Sequence, residues 1–340
     1  ENIVKFCKFI FVFIILINAT LISKLHANSF KINEIEVSED FNLDFNKRKV
    51  FDKAFELAFF QLILKVVVSK DIKKVEKTNL STIKSLIDSF NVGDERFYEN
   101  KYYAKFNVNF NKKNTYRYFE SKNIFPSIPK KMDLLFLPVL IDSKKNEIVY
   151  FGTNPIYENW NSNKENYHLL NYILPTEEIE NTQIFNNNIE LIEEYNFDKI
   201  VKKYDLENYI ILIIYENNNK INVLSKLKLN NKYKIFNKNY KDANLQDEQY
   251  ISRLILELKN LYEDEWKKLN VINTSIQLPL TFSLSSKNYD NIQLFEKTLE
   301  DLDLVSNFMV LSFNNSDIFY KVIYNGSPDK FFNEIESSGL

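Results

Sequence analysis

Apolar residues recur at helical spacing from Lys47 to Leu64: Phe51, Phe55, Ala58 and Leu62 form one row, and Val50, Ala54, Leu57, Gln61 and Leu64 the next. The two rows make a face wider than a surface helix needs. An isolated helix of this length is marginal in water, so docking on a core must hold it. Phe30, Ile32, Ile35 and Val37 suggest a strand before it. After it, Ser81 reads as the cap of a second helix whose face carries Ile83, Leu86, Ile87 and Phe90. Asn91 to Tyr98 and Tyr102 to Phe110 then read as a hairpin turned at Glu99-Asn100-Lys101. Its second strand alternates Ala104, Phe106, Val108 and Phe110 with Lys105, Asn107 and Asn109, which gives one buried face. Ala54 and Ala58 predict close packing of the long helix on that strand. Lys113 to Lys122 reads as a short helix, and Pro126 and Pro129 mark a domain boundary.

Asp133 to Asp142 is a continuous apolar run, as in a strand covered on both faces, and Pro138 within it points to an edge or a bulge. Glu147 to Phe151 can pair with it. A long irregular stretch from Gly152 to Tyr167 follows, and long loops in compact domains are often functional. Thr176-Glu177-Glu178-Ile179 opens a short helix, Asn196 caps another over Phe197 to Tyr204, and Tyr209 to Tyr215 turns through Asn217-Asn218-Asn219 into a strand over Ile221 to Leu229.

In the last third, Ile251, Leu254, Ile255, Leu258, Leu261, Tyr262, Trp266 and Leu269 predict an amphipathic helix, with Glu257, Lys259, Asp264 and Lys268 on its other sides. Ile276 to Leu284 alternates as a strand, and Pro279 makes it an edge. A helix over Ile292 to Leu302, a hairpin through Asn314-Asn315-Ser316-Asp317, and a helix capped by Ser327 with Pro328 at its first position complete a βαββα unit.

The N-terminus changes the compartment. Lys5 and Lys8 precede an uncharged apolar run from Phe9 to about Ile22, followed by Ser23-Lys24-Leu25-His26-Ala27, the pattern of a signal peptide, with an uncleaved anchor as the alternative. The expected mature chain is exported, periplasmic, free of membrane spans and without cysteine once Cys7 is removed. A net charge of -2 with dispersed Lys, Asp and Glu offers no basic stripe for nucleic acid. The excess of Asn, Lys, Ile, Phe and Tyr is the signature of an AT-rich genome, which weakens any reading of the aromatics as a binding surface.

Candidate chemistry is sparse. With His26 in the signal segment, His168 is the one remaining histidine, so no His/Cys metal cluster and no cofactor is implied. Four glycines build neither a phosphate loop nor a dinucleotide fingerprint. Glu177-Glu178-Glu180, Glu193-Glu194 and Glu263-Asp264-Glu265 read as solvated helix faces. Lys47, Arg48 and Lys49 could hold an anion or lipid headgroup, but with no aromatic or Gly-rich partner nearby they read as a solvated first turn. The candidate ligand or partner contacts are Asn154, Pro155 and Trp160 in the long loop, with His168 after it; the competing role for Trp160 is to plug an apolar gap. No residue is assigned as catalytic.

Several separated motifs carry a resemblance. They are the long helix with its flanking strands; Leu137-Pro138-Val139-Leu140, Asn154-Pro155 with Trp160, Leu174-Pro175 and Lys203-Tyr204; and Glu265-Trp266-Lys267, Leu278-Pro279-Leu280 and Tyr324-Asn325-Gly326-Ser327. In this order they resemble an exported proteobacterial domain-of-unknown-function family, numbered two-thousand-and-sixty-six, and its alphaproteobacterial members in particular. The resemblance implies export and architecture and supplies no catalytic residue; far fewer Gly, Ala and Arg than in typical members is the departure. The expectation is an α+β chain: signal peptide 1–27, then three small layer domains over 28–128, 129–240 and 241–340. Its expected function is that of a non-catalytic envelope adaptor or assembly factor with a protein partner, the alternative being a periplasmic enzyme or small-ligand binder using the Asn154 to Trp160 loop.

Overall fold

The computed structural model describes residues 30–162, 165–176, 186, 189–272 and 277–338. The expected signal segment and the expected helix start at Glu177 lie outside them. The chain is mixed α+β, and it divides into two compact units, one of Ile32–Ile276 and one that holds Gln277–Leu340.

The first unit begins with a sheet of β1 (Lys31–Asp40), β2 (Ile87–Tyr98) and β3 (Lys101–Phe110) in the order β1-β3-β2. Tyr102, Ala104, Phe106, Val108 and Phe110 of β3 are buried, as strict alternation requires of a one-faced strand. The long helix α1 (Lys47–Val66) crosses that face, capped by Asn46, whose Oδ1 accepts the Arg48 N–H at 2.9 Å. Rings meet across the interface at Phe51–Phe106 (5.4 Å) and Phe59–Phe110 (6.1 Å), and between them Ala54 and Ala58 are fully buried. The second predicted row divides. Leu57 is 40% exposed, because the buried stripe runs through the pairs Ala54/Phe55, Ala58/Phe59 and Leu62/Ile63.

Helix α2 (Leu80–Leu86) is capped by Asn79 rather than Ser81: Asn79 Oδ1 accepts both the Thr82 N–H and the Ser81 hydroxyl. It also ends earlier than its spacing suggests. Phe90 sits in β2, not in a helix, and reaches the same helix face from there, 5.0 Å from the Phe55 ring. A period of three to four therefore continued in sequence while the backbone changed from helix to strand. Helix α3 (Lys112–Ser121) closes this part.

The middle sheet contains β4 (Met132–Asp142), β5 (Glu147–Val149), β6 (Leu170–Ile173), β7 (Tyr209–Asn217), β8 (Lys220–Leu229) and β9 (Lys232–Lys241), in the order β5-β4-β7-β8-β9 with β6 also on β4. Contrary to the edge expected from Pro138, β4 is interior. It pairs β7 in parallel on one side; on the other, β6 pairs Met132–Leu135 and β5 pairs Leu140–Asp142. Phe136 to Val139 therefore face a gap between two short strands. N–H and C=O of one strand residue point to the same side, so the donor that proline lacks falls in this gap.

Both faces of β4 are covered, which is why its sequence does not alternate. Helix α4 (Pro155–Asn159), Trp160 and the long α6 (Glu248–Leu269) lie on one core, and α5 (Asp198–Lys202) with Phe197, Ile200 and Val201 on the other. The sequence grouped α6 with the last strands; its apolar face instead packs with Leu134, Phe136, Ile210 and Leu212 of this sheet. At the boundary expected near residue 128, Ser127 N donates to Val66 O (2.8 Å), Ile128 N to Asn270 O (2.9 Å) and Ile272 N to Pro126 O (3.0 Å). The crossing is stitched on both sides, within one compact unit.

The second unit is the βαββα unit read from sequence: β10 (Leu278–Ser285), α7 (Tyr289–Asp301), β11 (Val305–Phe313), β12 (Asp317–Tyr324) and α8 (Pro328–Glu336), with the strand order β10-β12-β11. Phe282 stacks on Phe331 at 5.1 Å and Phe295 meets Tyr320 at 5.4 Å. Ser327 caps α8, with Pro328 at its first turn.

The packing of α1 gives a direct contrast. Ala58→Leu forces a side chain into a filled interface and should cost about 1–3 kcal/mol, whereas Leu57→Ala, at an exposed position, should shift stability by no more than about 0.5 kcal/mol. Urea unfolding of the two variants checks the assignment, and equal losses would contradict it.

Candidate functional site

Asn154 stands at the gap in β4. Its Oδ1 accepts the N–H groups of Ile156 (3.0 Å) and Tyr157 (3.3 Å), capping α4, and its Nδ2 donates to Pro138 O at 3.2 Å. The side chain thus supplies the ladder contact that no strand makes there, and only 1% of the residue is exposed. Pro155 occupies the first helical turn, where a missing N–H costs nothing. Trp160 is fully buried, stacked on Phe136 at 3.7 Å and 18° and edge-on to Tyr172 at 5.3 Å. Asn154, Pro155 and Trp160 are therefore committed to structure, Trp160 as the plug. His168, by contrast, borders open space.

His168 lies between two cavities of about 260 Å³ and about 190 Å³. The larger is bordered by Lys131, Asp133, Asn161, Tyr172 and Lys259, the smaller by Leu64, Ser69, Tyr167, Glu263 and Lys267. His168 Nε2 and the Tyr172 hydroxyl are buried without a hydrogen-bond partner among the described residues. Burial, with Lys259 and Lys267 adding repulsion, pushes the His168 imidazole down to about 4, so it is neutral at pH 7.

What the sequence missed is a row of charges on α6. Lys259, Glu263 and Lys267 are 3%, 3% and 5% exposed, and each directly follows a core residue, Leu258, Tyr262 and Trp266. Four-residue steps keep them on one stripe beside the apolar one. Glu263 accepts the backbone N–H of Leu169 on both oxygens (3.1 and 3.0 Å) and that of Leu170 at 2.9 Å, fixing the entry of β6. Lys267 Nζ donates to Leu64 O (2.5 Å) and Val67 O (3.1 Å), meeting carbonyls at the C-terminal end of α1. Lys259 Nζ lies 5.6 Å from the Trp160 ring centre and 5.7 Å from that of Tyr172. Burial raises the Glu263 carboxyl to about 7 against those hydrogen bonds, and it lowers the Lys267 ammonium against its acidic neighbours. The signal was present in sequence as charges immediately after core positions, but adjacent acids at Glu263-Asp264-Glu265 disguised it as a solvated cluster.

Glu263 spends its oxygens on backbone amides and Lys267 its protons on helix carbonyls. The row holds three pieces of chain together rather than aligning a nucleophile with a base. Among the described residues, no group of three His, Cys, Asp or Glu side chains is placed to hold a metal ion.

Two measurements probe these assignments. Asn154→Ala removes the cap and the Pro138 contact and should cost about 2 kcal/mol in urea unfolding; Asn154→Asp keeps the cap, loses the donor and should cost clearly less. The second reads pH. A carboxyl raised to about 7 stabilises the fold fully below its unfolded value near 4.5 and loses that contribution as pH rises to about 7. A histidine lowered to about 4 contributes above about 6.5 and loses its contribution as pH falls toward 4. Relative to Glu263→Gln, the parent chain should therefore gain stability from pH 7.5 to 5, by up to about 3 kcal/mol, and relative to His168→Gln it should lose stability. Thermal unfolding across this range checks both signs; parallel slopes would contradict them. No protein-family model matches the chain, and no curated protein matches it.

Proposed function

We propose that this chain is an exported cell-envelope protein acting without catalysis, as an adaptor or assembly factor that binds a protein partner along β11. The observation that carries the reading is the chemistry of the sheet edges. A long open edge normally bears charge or proline against unwanted pairing. Edge strand β9 carries Lys232, Lys234, Lys238 and Lys241, β1 carries Glu34 and Glu36, β2 carries Asp88, Asp94 and Glu95, and β10 carries Pro279. Strand β11 has the sequence VSNFMVLSF, with neither.

Its far half is exposed as well as uncharged: Met309 46%, Val310 47%, Leu311 52% and Phe313 80%. The register with β12 places Met309 opposite Lys321 and Val310 opposite Tyr320, so apolar side chains stand on both faces of the edge. A register shift between Val310 and Ser312 interrupts the ladder there, which disfavours open-ended stacking of strands and favours a partner shaped to the break. The apolar run Phe9 to Ile22 after Lys5 and Lys8 supports export, and no helix among the described residues is long and apolar enough to cross a membrane. The three structurally committed residues of the middle loop favour this reading over a ligand site there.

A photo-crosslinker in place of Met309 should trap one specific protein in the envelope, and Leu311→Lys should abolish that capture while changing stability by no more than about 0.5 kcal/mol. Capture of no protein from Met309, or capture and cellular phenotype both unaffected by Leu311→Lys, would overturn the proposal.

A further inference from the structure

The end of the first sheet, where β1 runs into α1, presents apolar side chains outward from two segments. Leu43 is 106% exposed, Tyr98 65%, Phe97 62% and Phe41 49%. They form a fixed tip: Phe41 N donates to Asn100 O at 2.7 Å, and Asn42 accepts the Phe45 N–H on its carbonyl (3.0 Å) and the Asp44 N–H on Oδ1 (2.9 Å). The rings pack in series, Phe41 against Phe45 and Phe97 at 4.9 Å each, and Tyr102 against Phe45 (5.3 Å) and Phe97 (5.2 Å). The basic start of α1, which lacked an aromatic partner in sequence, has one here: Lys47 Nζ lies 5.8 Å from the centres of both the Phe51 and Tyr102 rings, held by Glu95 at 3.0 Å.

We propose that this tip is a bilayer-insertion site, entering the interfacial region of a phospholipid surface with Leu43 leading and Phe41, Phe97 and Tyr98 behind it. Two observations choose a lipid surface over a protein groove. The tip is convex, with its leading side chain protruding beyond full exposure. In the uncleaved chain a second apolar stretch directed at a membrane, Phe9 to Ile22, precedes it, and stable attachment takes two weak signals rather than one. The nearby exposed charges, Arg48, Lys49 and Lys101 against Asp40, Asp44 and Glu99, balance in sign. Insertion is therefore driven by apolar burial and needs no anionic lipid.

The test uses the full chain with Cys7→Ser and an environment-sensitive nitrobenzoxadiazole label on Leu43→Cys. The readout is local, so attachment through the N-terminal run does not mimic it. On vesicles of phosphatidylcholine, alone or mixed with phosphatidylglycerol, the label should shift to the blue and be quenched by nitroxide lipids. The same label on Lys232→Cys should not respond. Adding Phe97→Ser should lower the inserted fraction roughly tenfold. Aqueous emission from position 43 on both vesicle types, or a shift unchanged by Phe97→Ser, would overturn the site, and a shift that needs an added envelope protein would reassign it to protein docking.

Discussion

Charges buried on a single helix must find partners, and that demand ties together the larger unit of this protein. Removing an ammonium or carboxylate from water costs several kcal/mol unless polar groups replace the water. On α6 the replacements come from elsewhere in the chain: Glu263 is met by the amides of Leu169 and Leu170, and Lys267 by the carbonyls of Leu64 and Val67. Each contact is about a hundred or more residues distant in sequence. Truncating Glu263 or Lys267 would leave the backbone groups it meets without that partner, so the row acts as a registry device between α1, β6 and the middle sheet. The opposed displacements of Glu263 and His168 place two titrations in one small region, where their effects on stability run in opposite directions as pH falls.

A second constraint lies in β4. The strand is interior to the sheet and buried on both faces, yet it contains a residue with no donor. The solution is to divide its neighbour in two, β6 below and β5 above, and to fill the gap from the side with Asn154. The same asparagine starts α4, which brings Trp160 down on Phe136. Pro138, Asn154, Pro155 and Trp160 are thus one structural device spread over more than twenty residues.

Periodicity made α1, β3, α6 and the entire βαββα unit legible, because each buries one continuous face and its spacing states which. It failed where spacing has two solutions, as at Ile83, Leu86 and Phe90, which line up on α1 from a helix and then from a strand. It failed again at Pro138, because whether a strand is central depends on partners far along the chain. The motif around Asn154 was visible as unusual, but its purpose was not, since the gap it fills exists only after β5 and β6 have paired. The charges of α6 were hidden for a related reason: a helical pattern places Lys259 at the margin of the apolar face, and only the docked Trp160 and Tyr172 turn that margin into interior.

Where the molecule meets others is written in its exposed apolar surface. Hydrophobic residues scattered singly over a surface need no explanation, but contiguous ones do. Exposed apolar side chains are contiguous at the β11 edge and at the Phe41–Leu43–Phe97 tip, and the two differ in the backbone that carries them. Strand β11 is an open edge, so its backbone as well as its side chains seeks a chain to pair with. The turn that carries Leu43 lies outside any strand and holds its leading apolar side chain clear of the chain. A bare strand edge suits a protein strand, whereas a protruding apolar turn suits a hydrocarbon boundary, so the two patches call for partners of different chemistry.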